Sequence, residues 1–191
     1  MEARALAITV QSTFEALQEM EPTLWARVRA ELPPESLAAI EDTSRISWIP
    51  VEHDVALTRA IFAIAGRERA RECFRRMMRQ NFETPVLGSL AEGALRLLGG
   101  SPERLVRWAP KVWAHLMRDS GEMVVGQAEP ALVRLELRDM PPAVCDRDYL
   151  DGIAGAAEAI FDLAHVDGVV ELEGPRPDGS ATLVLSWKVE P

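Results

Sequence analysis

A chain of 191 residues with 48% hydrophobic and 27% charged side chains is long enough for one domain with a packed interior and too apolar for a disordered tail. Its net charge of −9 argues against general nucleic-acid binding, because phosphate repels an acidic surface. No apolar run reaches the roughly 18–20 residues that cross a bilayer, and Met1-Glu2-Ala3-Arg4 does not open a signal peptide, so a cytoplasmic protein with no transmembrane segment is expected. Cys73 and Cys145 are too few and too far apart for a disulfide framework or a thiolate metal site. Both read as reduced, small hydrophobes.

Ala5 to Val10 suits either a short strand or the first turns of a helix. From Phe14, apolar residues recur at helical spacing through Leu17 and Met20. Pro22 opens a second helix with Leu24, Trp25, Val28 and Leu32 on one face, and Pro33-Pro34 stops it. A short third helix carries Leu37 and Ile40. Trp48-Ile49 directly before Pro50 should be extended. Val51 to Ala65 predicts a helix with Gly66 as its C-cap. Arg67 to Phe82 predicts another, broken by Pro85, and Val86 to Leu98 a further one closed by Gly99-Gly100. Ser101-Pro102-Glu103 is a helix start, and Pro110 predicts a kink in a helix running to Leu116.

The pattern changes at Gly121. Met123 to Val125 predicts a strand, and Ala131 to Arg138 alternates with Val133, Leu135 and Leu137 facing inward. Val144 to His165 predicts the most amphipathic helix, with the stripe Tyr149, Ile153, Ala156, Ile160 and Leu163. Its small residues Gly152, Gly155 and Ala159 suit close packing against a sheet. Val169 to Glu173 and Thr182 to Val189 pair as a hairpin around Pro177-Asp178-Gly179. The order predicts one α+β domain over 1–191. Its mainly helical part, 1–118, packs on a small antiparallel sheet from the strand-strand-helix-strand-strand part, 119–191.

The order of these elements, from Ser101-Pro102-Glu103-Arg104-Leu105 through Trp113 to the hairpin ending at Trp187, resembles an uncharacterised bacterial family with many paralogues in myxobacteria. Leu32-Pro33-Pro34-Glu35 and Trp48-Ile49-Pro50 agree with it. That family resembles in turn the fold of heme nitric-oxide-binding domains, 4-vinyl reductase-like domains and Bet3-type TRAPP subunits. The resemblance implies helices over a curved antiparallel sheet, with an apolar cavity that holds heme or an acyl chain in some members and a dimeric scaffold in others. Two departures bear on cofactors. The only tyrosine, Tyr149, is followed by Leu150-Asp151-Gly152-Ile153 and lacks the propionate-clamping Tyr-x-Ser-x-Arg motif, and the last hairpin has no cysteine.

No catalytic constellation emerges. Ser89 in Leu87-Gly88-Ser89-Leu90-Ala91 lacks the second glycine of a nucleophile elbow, and no phosphate-loop pattern occurs. Asp146, Asp148 and Asp151 gather at a helix start, where acids complement the macrodipole. The resemblance makes His115 the candidate heme ligand; its alternative is an ordinary helix residue. His53 and His165 form no metal-binding pair with it.

Two features stand out. Residues 67–118 carry 11 basic against 5 acidic side chains, whereas residues 119–191 carry 5 against 15. Arg67, Arg69, Arg71, Arg75, Arg76 and Arg79 crowd one helix. They read either as a solvated face paired with Glu68 and Glu72 or as a surface for an acidic partner, with Arg67, Arg71, Arg75 and Arg79 as the partner-surface candidates and a second copy as one such partner. Phe74, Met77, Met78, Phe82, Trp108, Val112 and Trp113 are the candidates for lining an apolar pocket, against plain core packing. The expectation is a non-enzymatic regulatory or sensory module that binds a small apolar ligand or a protein and needs no cofactor. The alternatives are a ligand-free homodimeric scaffold and a heme-based gas sensor using His115.

Overall fold

The computed structural model describes residues 2–81 and 100–188, with backbone alone for Asn81. The helix expected over Val86–Leu98, its Gly99 cap and Phe82 lie outside the described residues.

The ambiguous run at the start is both things in turn. Strand β1 (Arg4–Leu6) passes directly into helix α1 (Ala7–Met20). No side chain caps α1. Its first N–H groups instead donate to Ser47 O (2.9 Å) and Arg45 O (3.0 Å), which satisfies donors a helix N-terminus otherwise leaves open. Helices α2 (Pro22–Glu31) and α3 (Pro34–Asp42) each begin with proline in the first turn, where its missing N–H costs nothing. Strand β2 (Trp48–Pro50) follows, then α4 (Val51–Ala65), which ends at Gly66 with φ of 77° and the N–H of Gly66 on Phe62 O. Helix α5 (Arg67–Asn81) starts immediately after it.

The expected kinked helix is two helices. Helix α6 (Pro102–Val106) stops, and α7 (Ala109–Leu116) restarts with Pro110 in its first turn. A first-turn proline breaks no hydrogen bond, so a restart is less costly than a kink. Ser101 has the extended backbone of an N-cap but makes no side-chain cap bond. Strand β3 (Met117–Arg118) then joins β1 and β2 in a small antiparallel sheet ordered β2-β1-β3, with Ala5 opposite both Ile49 and Met117.

The second sheet is ordered β4-β5-β7-β6, from β4 (Glu122–Glu129), β5 (Leu132–Arg138), β6 (Gly168–Glu173) and β7 (Ala181–Trp187), all antiparallel. Val133, Leu135 and Leu137 are buried as the alternation predicts. Their partners Leu185, Leu183 and Ala181 on β7 are also buried. Each large aliphatic side chain sealed there stabilises the fold by about 1.5–3 kcal/mol.

Helix α8 (Arg147–Ala164) begins at Asp146, whose carboxylate accepts from Tyr149 N at 2.9 Å. Its two glycines, Gly152 and Gly155, meet helices rather than the sheet. A Cβ on Gly155 would lie 2.6 Å from Arg71 O, and one on Gly152 would lie 3.1–3.3 Å from Thr58 and Phe74. This close approach brings the α5 arginines onto acids of α8. Arg67 bonds Asp151 at 2.9 Å, Arg71 bonds Glu158 at 2.6 Å and Val170 O at 2.5 Å, and Arg75 forks onto Asp162 at 2.9 and 2.7 Å. Arg147 also reaches Asp151, whose side chain is 2% exposed. Arg69 and Arg76 pair with Glu21. The acids that answer this arginine row are therefore on α8 and at the end of α1, in place of the expected Glu68 and Glu72. Arg79 is exposed, and its charge helps hold the Asp162 carboxyl below its usual range, after the larger effect of Arg75.

Substitutions along this seam should separate packing from charge. Gly155→Ala should lower stability by about 1–3 kcal/mol by thermal unfolding, because overpacking against the Arg71 backbone outweighs the ~1 kcal/mol propensity gain. Arg71→Ala, which leaves a part-buried Glu158 unpaired, should cost about 3 kcal/mol in urea unfolding, whereas Arg134→Ala at the exposed pair with Glu173 should cost under about 1 kcal/mol.

Candidate functional site

A cavity of about 240 Å³ lies between the helices and the β4–β7 sheet. It is slightly smaller than the ~300–1,000 Å³ typical of small-molecule sites. Each wall has a sequence reason. Phe74 and Met78 come from α5, one helical turn apart. Leu105 of α6, Trp108 at the break, and Val112, Trp113 and Leu116 of α7 form a second wall. The amphipathic stripe of α8, Tyr149, Ile153, Ala156, Ile160 and Leu163, forms a third. Met123, Leu135 and Leu183 rise from the sheet. Trp113 is fixed by its indole N–H, which donates to Gly121 O at 3.1 Å.

Of the seven residues singled out as pocket candidates, Phe74, Met78, Trp108, Val112 and Trp113 line this cavity. Met77, at 1% exposure, is buried in the core away from it, and Phe82 lies outside the described residues. Sequence reasoning missed the polar groups. Thr9 and Thr13 of α1 and Asp54 and Thr58 of α4 enter the wall at i, i+4 spacing, a signal a search for apolar stripes passes over.

Asp54 is the unusual member. Tyr149 Oη donates to Asp54 Oδ2 at 2.9 Å and sits 4.0 Å from Met117 Sδ. Burial pushes the Asp54 carboxyl up to about 6, partly offset by the Tyr149 hydrogen bond. Burial and the neighbouring carboxylate also raise the Tyr149 phenol well above its usual value. Among the described residues, no arginine, lysine or histidine lines the cavity. A carboxyl that holds its proton more tightly when folded favours folding at low pH. That contribution is complete below its ordinary value of 3.8 and is lost as pH rises through about 6. Asp54→Asn, which keeps an acceptor for the phenol, should therefore raise stability at pH 7 by about 2–3 kcal/mol, with the gain vanishing near pH 4, measured by chemical unfolding across pH.

The three histidines lie elsewhere. His115 is on α7 but exposed and off the cavity. His53 Nδ1 is 3.1 Å from Ser36 Oγ, and His165 caps α8 in the left-handed conformation with φ of 54°. Cys73 is buried and Cys145 half-buried; neither lines the cavity. No group of three or more histidine, cysteine or acidic side chains among the described residues is arranged to hold a metal ion. No described helix is long and apolar enough to cross a membrane.

No protein-family model matches the chain, and no curated protein matches it. Solved structures do. An unliganded Fe(II) H-NOX protein from K. algicida superposes with a TM-score of 0.65 at 12% identity, over 100% of this chain and 98% of its own. An oxygen-binding H-NOX domain related to soluble guanylate cyclases, in its oxygen complex, gives 0.60 at 14% identity, over 96% and 95%. A mutant of T. tengcongensis H-NOX gives 0.59 at 14%, over 96% and 98%. The chain has the α+β fold of H-NOX domains.

That fold raises the question of heme, and the residues answer it. A heme held by histidine needs an imidazole facing the cavity, and propionates need a cation. All three histidines point elsewhere, and the described wall carries a carboxylate in place of a cation. A histidine-ligated heme does not fit this donor set, and His115, the candidate ligand, is misplaced because it lies two residues from the buried Trp113, on the opposite, exposed side of α7.

Proposed function

We propose that this protein is a non-enzymatic sensory or regulatory module that takes a small apolar ligand into the H-NOX-fold cavity. The observation that carries this reading is the cavity itself, walled by Trp108, Trp113, Phe74 and the apolar stripe of α8. Core packing alone does not require such a space, since a void among large side chains costs the contacts that would fill it. The apolar wall and its few convergent polar groups match the general design of small-molecule sites. No nucleophile–base pair or metal cluster among the described residues competes with binding as the role of this space.

The arginine row lends less to a partner surface. Arg67, Arg71 and Arg75 are already engaged by acids of the same chain. A small, non-covalent occupant is therefore the reading that uses the features the core leaves unexplained.

Native mass spectrometry of the purified protein tests it. The wild-type chain should carry an added mass that is released on denaturation, and Ala156→Phe, which fills the cavity from α8, should fly bare while melting within a few degrees of wild type. A bare wild-type monomer that no apolar compound stabilises thermally overturns the proposal. A bare dimer supports the scaffold instead. A Soret band in the visible spectrum would overturn the heme-free form of the reading.

A further inference from the structure

The carboxylates of α8 that turn inward each meet arginines. Asp151 holds Arg67 and Arg147, Glu158 holds Arg71, and Asp162 holds Arg75. Asp54 is different. It enters the cavity from the first turn of α4, and among the described residues the titratable group that touches it is the neutral phenol of Tyr149. Its neighbours on α4 offer no counter-charge: Glu52 is an exposed acid, and His53 is turned to Ser36 on α3. The Tyr149 bond uses one carboxylate oxygen, Oδ2, and leaves Oδ1 able to accept from a further donor. A second acceptor stands in the same wall: among the described residues, Thr9 Oγ1 is buried without a hydrogen bond. Phe74, Trp108, Trp113 and Tyr149 line the same cavity, and aromatic rings attract cations.

Building on the apolar-ligand reading above, we propose that the ligand is a small organic ammonium, an apolar body with one charged nitrogen placed against Asp54. The ammonium supplies the cation that the described wall lacks, donates to Asp54 Oδ1 and Thr9 Oγ1, and lays its hydrocarbon along α7 and α8. A neutral ligand of the same shape leaves the carboxylate uncompensated. An acid of the same shape is repelled by it.

Titration calorimetry at about pH 7.5 with n-alkylammonium ions from butyl to octyl, each paired with the 1-alkanol of equal length, tests this, since that pH leaves a carboxyl of raised pKa mostly ionised. For at least one chain length the ammonium should bind tenfold or more tightly than the alkanol. Asp54→Asn should erase that preference while retaining alkanol binding, and its melting curve reports that it is folded. Glu52→Gln, an exposed charge change on the same turn, should leave the preference intact. Ammonium affinity in the wild type should fall as pH is lowered from about 7.5 to about 5, while alkanol affinity stays flat. Equal binding of ammonium and alkanol at every length, or a preference that survives Asp54→Asn, overturns the ammonium and leaves the apolar-ligand reading standing. Absence of binding by both series in the wild type, with Ala156→Phe indistinguishable from it, overturns both.

Discussion

Helix α8 has two faces with opposite demands, and the ion pairs to α5 reconcile them. One face must be held rigidly, because it is packed backbone against backbone at Gly155 and Arg71. The other face forms the wall of a space that the described side chains leave open, so packing on that side holds the helix less firmly. Arg67, Arg71 and Arg75 on Asp151, Glu158 and Asp162 take over that role from the far side. Arg71 goes further and bonds Val170 O on β6, so the same guanidinium ties α5, α8 and the edge of the sheet together. A hydrophobic seam would permit sliding. Forked, charge-assisted bonds fix position along the helix as well as contact.

The cavity follows from that fixation and from a break in the chain opposite. Between α6 and α7 the helix stops and restarts, and Trp108 at the break and Trp113 on α7 both line the space that α8 faces. The two walls are then set by independent devices: charge on one side, a proline-started helix on the other. Two large indoles held apart from a stripe of alanine and isoleucine leave the space between them. Asp54 and Tyr149 close it from α4 and the start of α8.

Much of this was legible in the residues. The alternation Val133, Leu135, Leu137 marks the sheet face, the stripe on α8 marks its apolar side, and Phe74, Met78, Trp108, Val112 and Trp113 were readable as one apolar group. The sheet β2-β1-β3 was not, because strands of two or three residues carry no periodicity and are made by partners more than forty residues apart. The Asp54–Tyr149 contact spans 95 residues and leaves no local trace. The destination of the arginines was half visible. The sequence segregates basic and acidic segments, and Arg67, Arg71 and Arg75 meet acids of the same molecule, a pairing that the pattern alone did not specify.

The chain's polarity from end to end has a consequence for its biogenesis. Arg67, Arg71 and Arg75 are separated from the acids of α8 that neutralise them by 84–87 residues. A ribosome releases the arginine helix well before α8 exists, so Arg67, Arg71 and Arg75 wait for their counter-ions for as long as those residues take to emerge, while Glu21 is already there for Arg69 and Arg76. During that interval the first half lacks the acids of α8 and the second wall of its interior. The seam between α5 and α8 therefore closes only when the last third of the chain folds back onto the arginine helix.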